Sequence, residues 1–182
     1  MADRQPADRQ PADRQPADIR PAAPADATGI AAVYAPYVLT SVATFETEPP
    51  TVAVLRERMA SGLPWLVACD GRDVVGFAYA SAHHERPAYR WTVECTVYLA
   101  DAGRGRGLGR ALYGRLLPDL VARGLVTALA RITLPNPASV ALHEAMGFRP
   151  AGVMPQVGFK LGAWHDVGLW ALRLVDPPPG SR

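Results

Sequence analysis

The sequence contains only two cysteines, Cys69 and Cys95, and no apolar run near the roughly 18 residues that can cross a bilayer. Two cysteines at this spacing fit neither a disulfide framework nor a zinc site, so we expect both to be buried thiols. The N-terminus also lacks the apolar segment of a secretion signal. These absences predict a cytoplasmic protein with no metal site and no membrane segment.

An excess of charge of one sign is missing as well. The chain has 19 Lys and Arg residues against 17 Asp and Glu residues, and its formal net charge is +2. This balance argues against nucleic acid or a membrane surface as the main partner. Hydrophobic residues make up 49% of the 182 residues, which is ordinary for one globular domain with a substantial core.

The N-terminus carries a repeat of five residues. Ala2–Pro6 recurs as residues 7–11 and 12–16, and a fourth copy begins at Ala17. Each copy is charge-balanced, contains a proline and has no large apolar side chain, so it cannot offset the entropy of ordering. We expect a disordered low-complexity tail over residues 1–18, one domain over 19–175, and a flexible C-terminal tail over 176–182.

Hydrophobic periodicity predicts an α+β (α/β) domain with a mostly antiparallel central sheet flanked by helices. The first helix has apolar residues at Ile30, Val33, Tyr34, Tyr37 and Val38, which lie on one helical face. The other predicted elements are a helix over 51–59, strands over 65–69, 74–79 and 89–99, a helix over 107–123, a strand over 128–134, a helix from Asn136 to Gly147, and strands over 152–159 and 166–174.

A glycine-rich segment, Gly103–Arg110, joins a predicted strand to a predicted helix. Glycine lets the backbone approach a ligand, and the free N–H groups at a helix start attract an anion. Arg104, Arg106 and Arg110 add positive charge, while Leu108 is expected to face the core. A generic turn remains an alternative. The spacing disfavours a Rossmann loop, and a Walker loop is excluded because no Gly-Lys-Ser/Thr occurs.

The spacing Arg104-x-x-Gly107-x-Gly109 resembles the acyl-CoA signature of the GNAT superfamily of N-acetyltransferases. Over residues 19–174 the chain is similar to the phosphinothricin and methionine sulfoximine acetyltransferases of that superfamily. The stretches that carry the similarity are Thr44–Pro49, Tyr89–Glu94, Thr96–Leu99, Leu134–Ser139, Leu142–Phe148, Gly158–Lys160 and Trp164–Asp166. The resemblance implies a GNAT fold with a splayed strand pair, acetyl-CoA as co-substrate and a homodimer.

The resemblance also implies which residues bind the co-substrate. The backbone of one splayed strand pairs with the pantetheine arm, and Asn136 contacts the same arm while capping its helix. The glycine-rich segment takes the pyrophosphate. The residues implied are Val97, Tyr98 and Leu99 on the strand, and Arg104, Gly105, Arg106, Gly107, Leu108, Gly109 and Arg110 in the segment.

Two catalytic residues are implied in the same way. Glu94 matches the family's general base, which removes a proton from the acceptor amine. It lies in an otherwise apolar strand, where a carboxylate is costly without a function or partners, so a structural ion pair is the alternative. His143 matches the helix position of a general acid, and either proton donation or help in deprotonating the amine fits an imidazole. A histidine bonded to a neighbour is its alternative.

The implied substrate pocket consists of Phe45, Tyr79, Arg86, Tyr89, Glu94, Cys95 and Thr96. Arg86 would hold a substrate carboxylate with its guanidinium fork, although a surface arginine is the alternative. Cys95 replaces the serine usual in the group, and we expect direct transfer rather than a thiol acyl-enzyme. Glu46 stands where some of these enzymes have a basic residue, which weakens the case for an anionic phosphinate.

Adjacent histidines, His83 and His84, precede Glu85 but do not predict a metal site, because neighbouring residues on a strand point to opposite faces. The favoured function is acetylation of the α-amino group of a small amino-acid analogue, phosphinothricin or methionine sulfoximine or sulfone. The alternatives are acetylation of another amine, such as a peptide N-terminus, and a noncatalytic acyl-CoA sensor.

Overall fold

The structure, a computed structural model, describes residues 17–176, which form a mixed sheet with helices on both faces. The elements in chain order are β1 (Asp18–Pro21), α1 (Ala27–Thr40), α2 (Val52–Met59), β2 (Trp65–Asp70), β3 (Asp73–Ala82), β4 (Thr92–Leu99), α3 (Leu108–Ala122), β5 (Thr127–Leu134), α4 (Pro137–Ala145), β6 (Arg149–Lys160) and β7 (Ala163–Arg173). The predicted helices and the strands from residue 65 onward are all present. Their ends differ from the predicted ends by at most a few residues.

The strands of the sheet follow the order β1-β2-β3-β4-β5-β7-β6. All neighbours are antiparallel except β4 and β5, which are parallel. The parallel pair is short, because its register runs only from Thr92 with Thr127 to Glu94 with Leu129. β4 continues to Leu99 and β5 to Leu134, so the two strands separate beyond Glu94. The predicted mostly antiparallel sheet with a splayed strand pair is confirmed.

Each face of the sheet has its own apolar core. α3 packs on one face, where Leu112, Leu116 and Leu120 are fully buried, as their four-residue spacing predicts. α1 and α2 cover the other face, where Ile30 and Leu55 are buried. Truncating one fully buried leucine to alanine costs about 2–5 kcal/mol. The helices are therefore firmly fixed, and they position the loops at their ends.

The start of β4 and the presence of β1 differ from the sequence-based expectation. The strand predicted to start at Tyr89 starts at Thr92, because Pro87–Tyr89 form a turn of 3-10 helix that proline favours at its first position. β1 was not predicted at all. It has four residues, includes Pro21, and pairs with a distant segment through Ile19 and Ala68, so no local pattern reveals it.

Residues 1–16 and 177–182, which make up most of the two predicted tails, lie outside the described residues. The division into tails and one domain therefore stays a prediction, although Asp18 already belongs to β1. Cys69 and Cys95 are both free and buried, as predicted. Within residues 17–176, no helix is both long and apolar enough to span a membrane.

Candidate active site

Two cavities meet where β4 and β5 separate. The smaller cavity has a volume of about 390 Å³ and is lined by Ala43, Thr44, Phe45, Glu94, Arg131, Thr133, Met154, Val157 and Val167. The larger cavity, of about 560 Å³, is lined by β4 from Cys95 to Leu99, by Arg104 and Gly105, and by residues of α1, β5 and α4 that include Asn136 and His143. Ala43, Arg131 and Thr133 line both, so the opened sheet connects the two cavities.

Glu94 lies on β4 at the last residue pair before the strands separate. Its side chain is 21% exposed, and its Oε1 atom forms an ion pair with Arg131 Nη2 at 2.7 Å and accepts a hydrogen bond from His83 Nδ1 at 2.8 Å. These partners offset the cost of placing a carboxylate in an apolar strand. The structural ion pair that the sequence left open is therefore present. Because Glu94 also lines the smaller cavity, the ion pair and a catalytic role are compatible.

Arg131 was missed by the sequence analysis. It lies in the centre of β5, where Ala130 and Ile132 on either side are buried. Its own side chain is 49% exposed and lines both cavities. A single charged residue in an otherwise apolar strand indicates a functional position, and Arg131 shows this pattern just as Glu94 does.

The glycine-rich segment forms the start of α3 at one end of the larger cavity. Gly105 and Gly107 adopt positive φ angles of 72° and 73°, and Gly107 is the N-cap of α3. Gly103 packs so closely on β3 that a Cβ there would collide with the carbonyl of Val75. The first N–H groups of α3 have no partner within the helix, so this end of the cavity suits an anion.

The arginines of this segment have different surroundings. Arg104 lines the larger cavity, where it donates to the Tyr37 hydroxyl at 3.1 Å and pairs with Asp101 at 3.0 Å. Arg106 instead pairs with Asp70 at 2.8 Å. Arg110 is exposed on the first turn of α3. Leu108 is buried in the core as predicted, and Gly109 is buried beside it.

The remaining predicted co-substrate residues lie along the larger cavity. Val97, Tyr98 and Leu99 follow the point where β4 stops pairing with β5, which leaves that strand edge facing the opening. Asn136 lines the same cavity, and its side chain caps α4 by accepting a hydrogen bond from the Ser139 amide at 3.1 Å. The predicted helix cap is thus confirmed, whereas the binding role stays a prediction.

His143 is buried on α4 and also lines the larger cavity. Its Nδ1–H donates to the Ser139 carbonyl at 2.7 Å, so Nε2 accepts from the Tyr113 hydroxyl at 2.9 Å. Burial lowers the pKa of His143, which favours the neutral imidazole. The geometry matches the alternative of a histidine bonded to its neighbours. A catalytic role for His143 stays a prediction.

Cys95 lies next to Glu94 on β4 and lines the larger cavity. Burial raises the pKa of its thiol to about 12. A thiol acts as a nucleophile in its thiolate form, which is scarce at neutral pH when the pKa is this high. This environment disfavours a thiol acyl-enzyme.

The predicted substrate residues are not all brought together. Phe45 lines the smaller cavity, with its ring against Gly158, where a Cβ would collide with it. Thr96 lines the larger cavity. Tyr79 stacks on Trp65 with ring centroids 4.2 Å apart and lines neither of these cavities. Arg86 and Tyr89 lie in the exposed segment after β3 and also line neither.

The loop that carries Phe45 is held by a buried cation. Lys160, the single lysine of the sequence, is 5% exposed and donates to the carbonyls of Thr44 at 2.7 Å and Tyr37 at 3.3 Å. Burial lowers the pKa of Lys160. Glu46 in the same loop pairs with Arg58 at 2.7 Å. These contacts position the wall of the smaller cavity, and the sequence analysis did not predict them.

His83 and His84 lie just beyond β3, which ends at Ala82. The argument that adjacent strand residues face opposite sides therefore does not apply to them. His83 is bonded to Glu94, and the rings of both histidines contact Tyr89. Among the described residues, no three His, Cys, Asp or Glu side chains are grouped to hold a metal ion.

The opened sheet and the glycine-rich start of α3 define a transferase of the acyl-CoA-using type. The chain belongs to the acetyltransferase (GNAT) family, whose profile matches residues 31–148. The predicted fold and the predicted enzyme class, an acetyltransferase, are thereby confirmed.

Individual relatives cover most of the chain. A phosphinothricin N-acetyltransferase of Streptomyces viridochromogenes is 42% identical over 158 residues, which are 85% of this chain and 86% of the relative. An L-methionine sulfoximine/L-methionine sulfone acetyltransferase of Pseudomonas paraeruginosa is 40% identical over 159 residues, which are 84% of this chain and 91% of the relative. The crystal structure of a phosphinothricin acetyltransferase from Sinorhizobium meliloti in complex with AcCoA matches with a TM-score of 0.85 and 39% identity, over 91% of this chain and 95% of that chain.

Proposed function

We propose that this chain acetylates the α-amino group of a small amino-acid analogue, phosphinothricin or methionine sulfoximine or sulfone, with Glu94 as general base. The observation that carries the proposal is the meeting of two cavities at the point where β4 and β5 separate, with Glu94 lining the smaller one. The names of the relatives support the substrate class.

Acetyl-CoA is the co-substrate, and the larger cavity fits its parts. The start of α3, with Arg104 and Gly105, offers N–H groups and positive charge to a pyrophosphate. Beyond Glu94, along Val97 to Leu99, the edge of β4 no longer pairs with β5 and offers backbone groups to the pantetheine amides, although the Leu99 carbonyl already accepts a hydrogen bond from the Tyr37 hydroxyl at 2.6 Å. The thioester supplies the acetyl group, and the residues of the chain bind and orient it.

The acceptor amine enters from the smaller cavity. At neutral pH an amine is protonated, and it attacks a carbonyl only after losing that proton. Glu94 lines this cavity and is positioned by Arg131 and His83. The carboxylate takes a proton from the ammonium group, and the free amine then attacks the thioester carbonyl directly. The C–N bond forms, the C–S bond breaks, and CoA leaves as its thiolate, which takes up the proton that the acetylated nitrogen loses. The buried thiol of Cys95, with its raised pKa, supports direct transfer.

The function is tested by following thiol release from acetyl-CoA with a panel of amines. The panel contains phosphinothricin, methionine sulfoximine, methionine sulfone, common amino acids and a short peptide. We expect the highest kcat/KM for one of the three analogues. Fastest turnover of the peptide would favour the alternative acceptor, and tight CoA binding without turnover of any amine would favour a noncatalytic sensor.

We also propose that the chain is a cytoplasmic homodimer. Large apolar side chains are exposed on the β6–β7 hairpin, and such patches mark protein interfaces. The exposed residues are Val153 (57%), Val157 (51%), Phe159 (58%), Leu161 (59%) and Trp164 (61%). Val157 also lines the smaller cavity, so dimer formation would cover one of its walls.

Two free buried thiols support a reducing compartment, which fits the proposed cytoplasmic location.

A further inference from the structure

We propose that Arg131 binds the α-carboxylate of the acceptor and thereby selects α-amino acids over other amines. This inference rests on the proposed function, because it concerns the substrate of the same site. It differs from the expectation from sequence, which assigned a substrate carboxylate to Arg86.

The charged lining of the smaller cavity carries the proposal. Of the residues that line it, Glu94 and Arg131 are the charged ones, and their side chains meet at 2.7 Å. Other nearby cations are engaged elsewhere. Lys160 is bonded to two backbone carbonyls, and Arg58 is paired with Glu46. The cavity therefore presents one carboxylate and one guanidinium side by side.

This pair has the spacing of the groups that it would bind. In an α-amino acid, three bonds (N–Cα, Cα–C and C–O) separate the ammonium nitrogen from a carboxylate oxygen, and the two atoms lie about 3 Å apart. The ammonium group can replace Arg131 as the partner of Glu94, while the carboxylate replaces Glu94 as the partner of Arg131. Each charge of the free site thus finds an opposite charge on the substrate.

The exposure of Arg131 makes the exchange feasible. Its side chain is 49% exposed, so it can turn from Glu94 toward an incoming ligand while it stays in contact with solvent, and the substrate carboxylate replaces the partner that it gives up. The guanidinium has five donors and binds a carboxylate through two of them. When the ammonium transfers its proton to Glu94, the carboxylate remains bound to Arg131 and holds the free amine in place.

An amine without a carboxylate leaves Arg131 without this second partner. Its ammonium group competes with the guanidinium for Glu94, but the amine has no carboxylate that could bind Arg131. Such amines are therefore expected to bind more weakly, because a charged group that loses its partner is costly. The arrangement both favours α-amino acids and disfavours simple amines.

The test measures binding of a matched ligand pair by calorimetry, with the full chain saturated with CoA. The ligands are methionine sulfone and 3-(methylsulfonyl)propylamine, which lacks only the carboxylate. Arg131→Met is expected to lose affinity for methionine sulfone by on the order of 10- to 100-fold, with a change of less than about 3-fold for the amine. Arg131→Lys keeps the charge without the fork, and is expected to retain part of the selectivity.

Two further variants complete the design. Arg173→Met, an exposed arginine on β7, is the matched control and should behave as the wild type. Arg86→Met tests the rival assignment. A selective loss in Arg86→Met instead of Arg131→Met would overturn the proposal. Equal losses for both ligands in Arg131→Met would also overturn it, since Arg131 would then act only by positioning Glu94.

Turnover by the wild type separates this inference from the proposed function. If methionine sulfone binds with the expected dependence on Arg131 but is not acetylated, the proposed function fails and the inference stands. If it is acetylated while Arg131→Met keeps the wild-type selectivity, the inference fails and the function stands. No binding of methionine sulfone to the wild type would contradict the inference.

Discussion

At the scale of single residues, the charge pair of the site follows from strand register. Glu94 is opposite Leu129 in the short parallel pairing of β4 and β5. Side chains two positions apart on a strand share a face, so Arg131 lies on the same face as Leu129 and Glu94. The next residue on that face is Thr133, which lines both cavities. A carboxylate in an apolar strand thus acquires its partner from the neighbouring strand.

His143 gives a prediction about pH and stability. Its pKa is lowered by burial from the ordinary 6.5, so between the folded value and 6.5 the unfolded chain binds more protons than the folded chain. The free energy of unfolding therefore falls as the pH is lowered through this window. In His143→Gln this contribution is absent, so urea unfolding at pH 7.5 and pH 5 should show a smaller loss of stability than in the wild type.

The matched control is His84→Gln, a substitution at an exposed histidine, which is expected to keep the wild-type difference between the two pH values. An equal loss of stability in wild type and His143→Gln would show that His143 does not contribute this pH dependence.

Site residues were predictable from sequence where local chemistry or a motif marked them. Glu94 was marked by its apolar strand, and the glycine-rich segment by its position before a helix. Arg131, like Glu94, is a charged residue in an apolar strand, but it lies outside the stretches that carry the family resemblance. Lys160 lies in one of the stretches that carry the family resemblance, but its contacts with Tyr37 and Thr44 join segments far apart in the chain. Such partnerships depend on tertiary packing, and no local pattern encodes them.

At the scale of elements, α3 offers a matched pair of glycines. Gly107 has a positive φ of 73° at the N-cap, whereas Gly114 lies inside the helix, and a Cβ at either position would meet open space. Gly107→Ala is expected to destabilise the fold by about 1–2 kcal/mol through backbone strain alone. Gly114→Ala should instead stabilise it by about 0.5–1 kcal/mol, since alanine favours a helix interior.

Urea denaturation measures both stabilities, and calorimetry with CoA measures the effect on binding. Gly107→Ala should also weaken CoA binding, because the strained loop moves the N–H groups at the helix start. Gly114→Ala should leave CoA affinity unchanged. A stabilising effect of alanine at both positions would refute the claim that the loop needs a positive φ at Gly107.

Elements with a strong repeating pattern were predicted best. The leucines of α3 and the Asn136 cap of α4 specify their helices locally, and their predicted ends are within a residue or two of the observed ends. β1 lacks such a pattern, since it is a short edge strand defined by its pairing with β2. The separation of β4 from β5 is likewise a property of two strands together, and only the family resemblance predicted it.

At the scale of the whole molecule, the exposed β6–β7 hairpin predicts self-association. Phe159→Glu places a charge in the apolar patch and is expected to yield monomers, while Leu39→Glu, at a similarly exposed residue of α1, should not. Light scattering after size-exclusion chromatography measures the mass, which should be twice the 19.5 kDa chain mass for the wild type and for Leu39→Glu. Identical masses for the two variants would contradict the proposed interface.

The most direct test of the whole account is the kcat of Glu94→Gln with the preferred amino-acid analogue. Glutamine keeps the size of the side chain but cannot accept the proton. We expect kcat to fall by on the order of 10²- to 10⁴-fold, the usual contribution of a general base, with CoA affinity within about 2-fold of wild type. An unchanged kcat in a folded, CoA-binding variant would remove Glu94 from the mechanism.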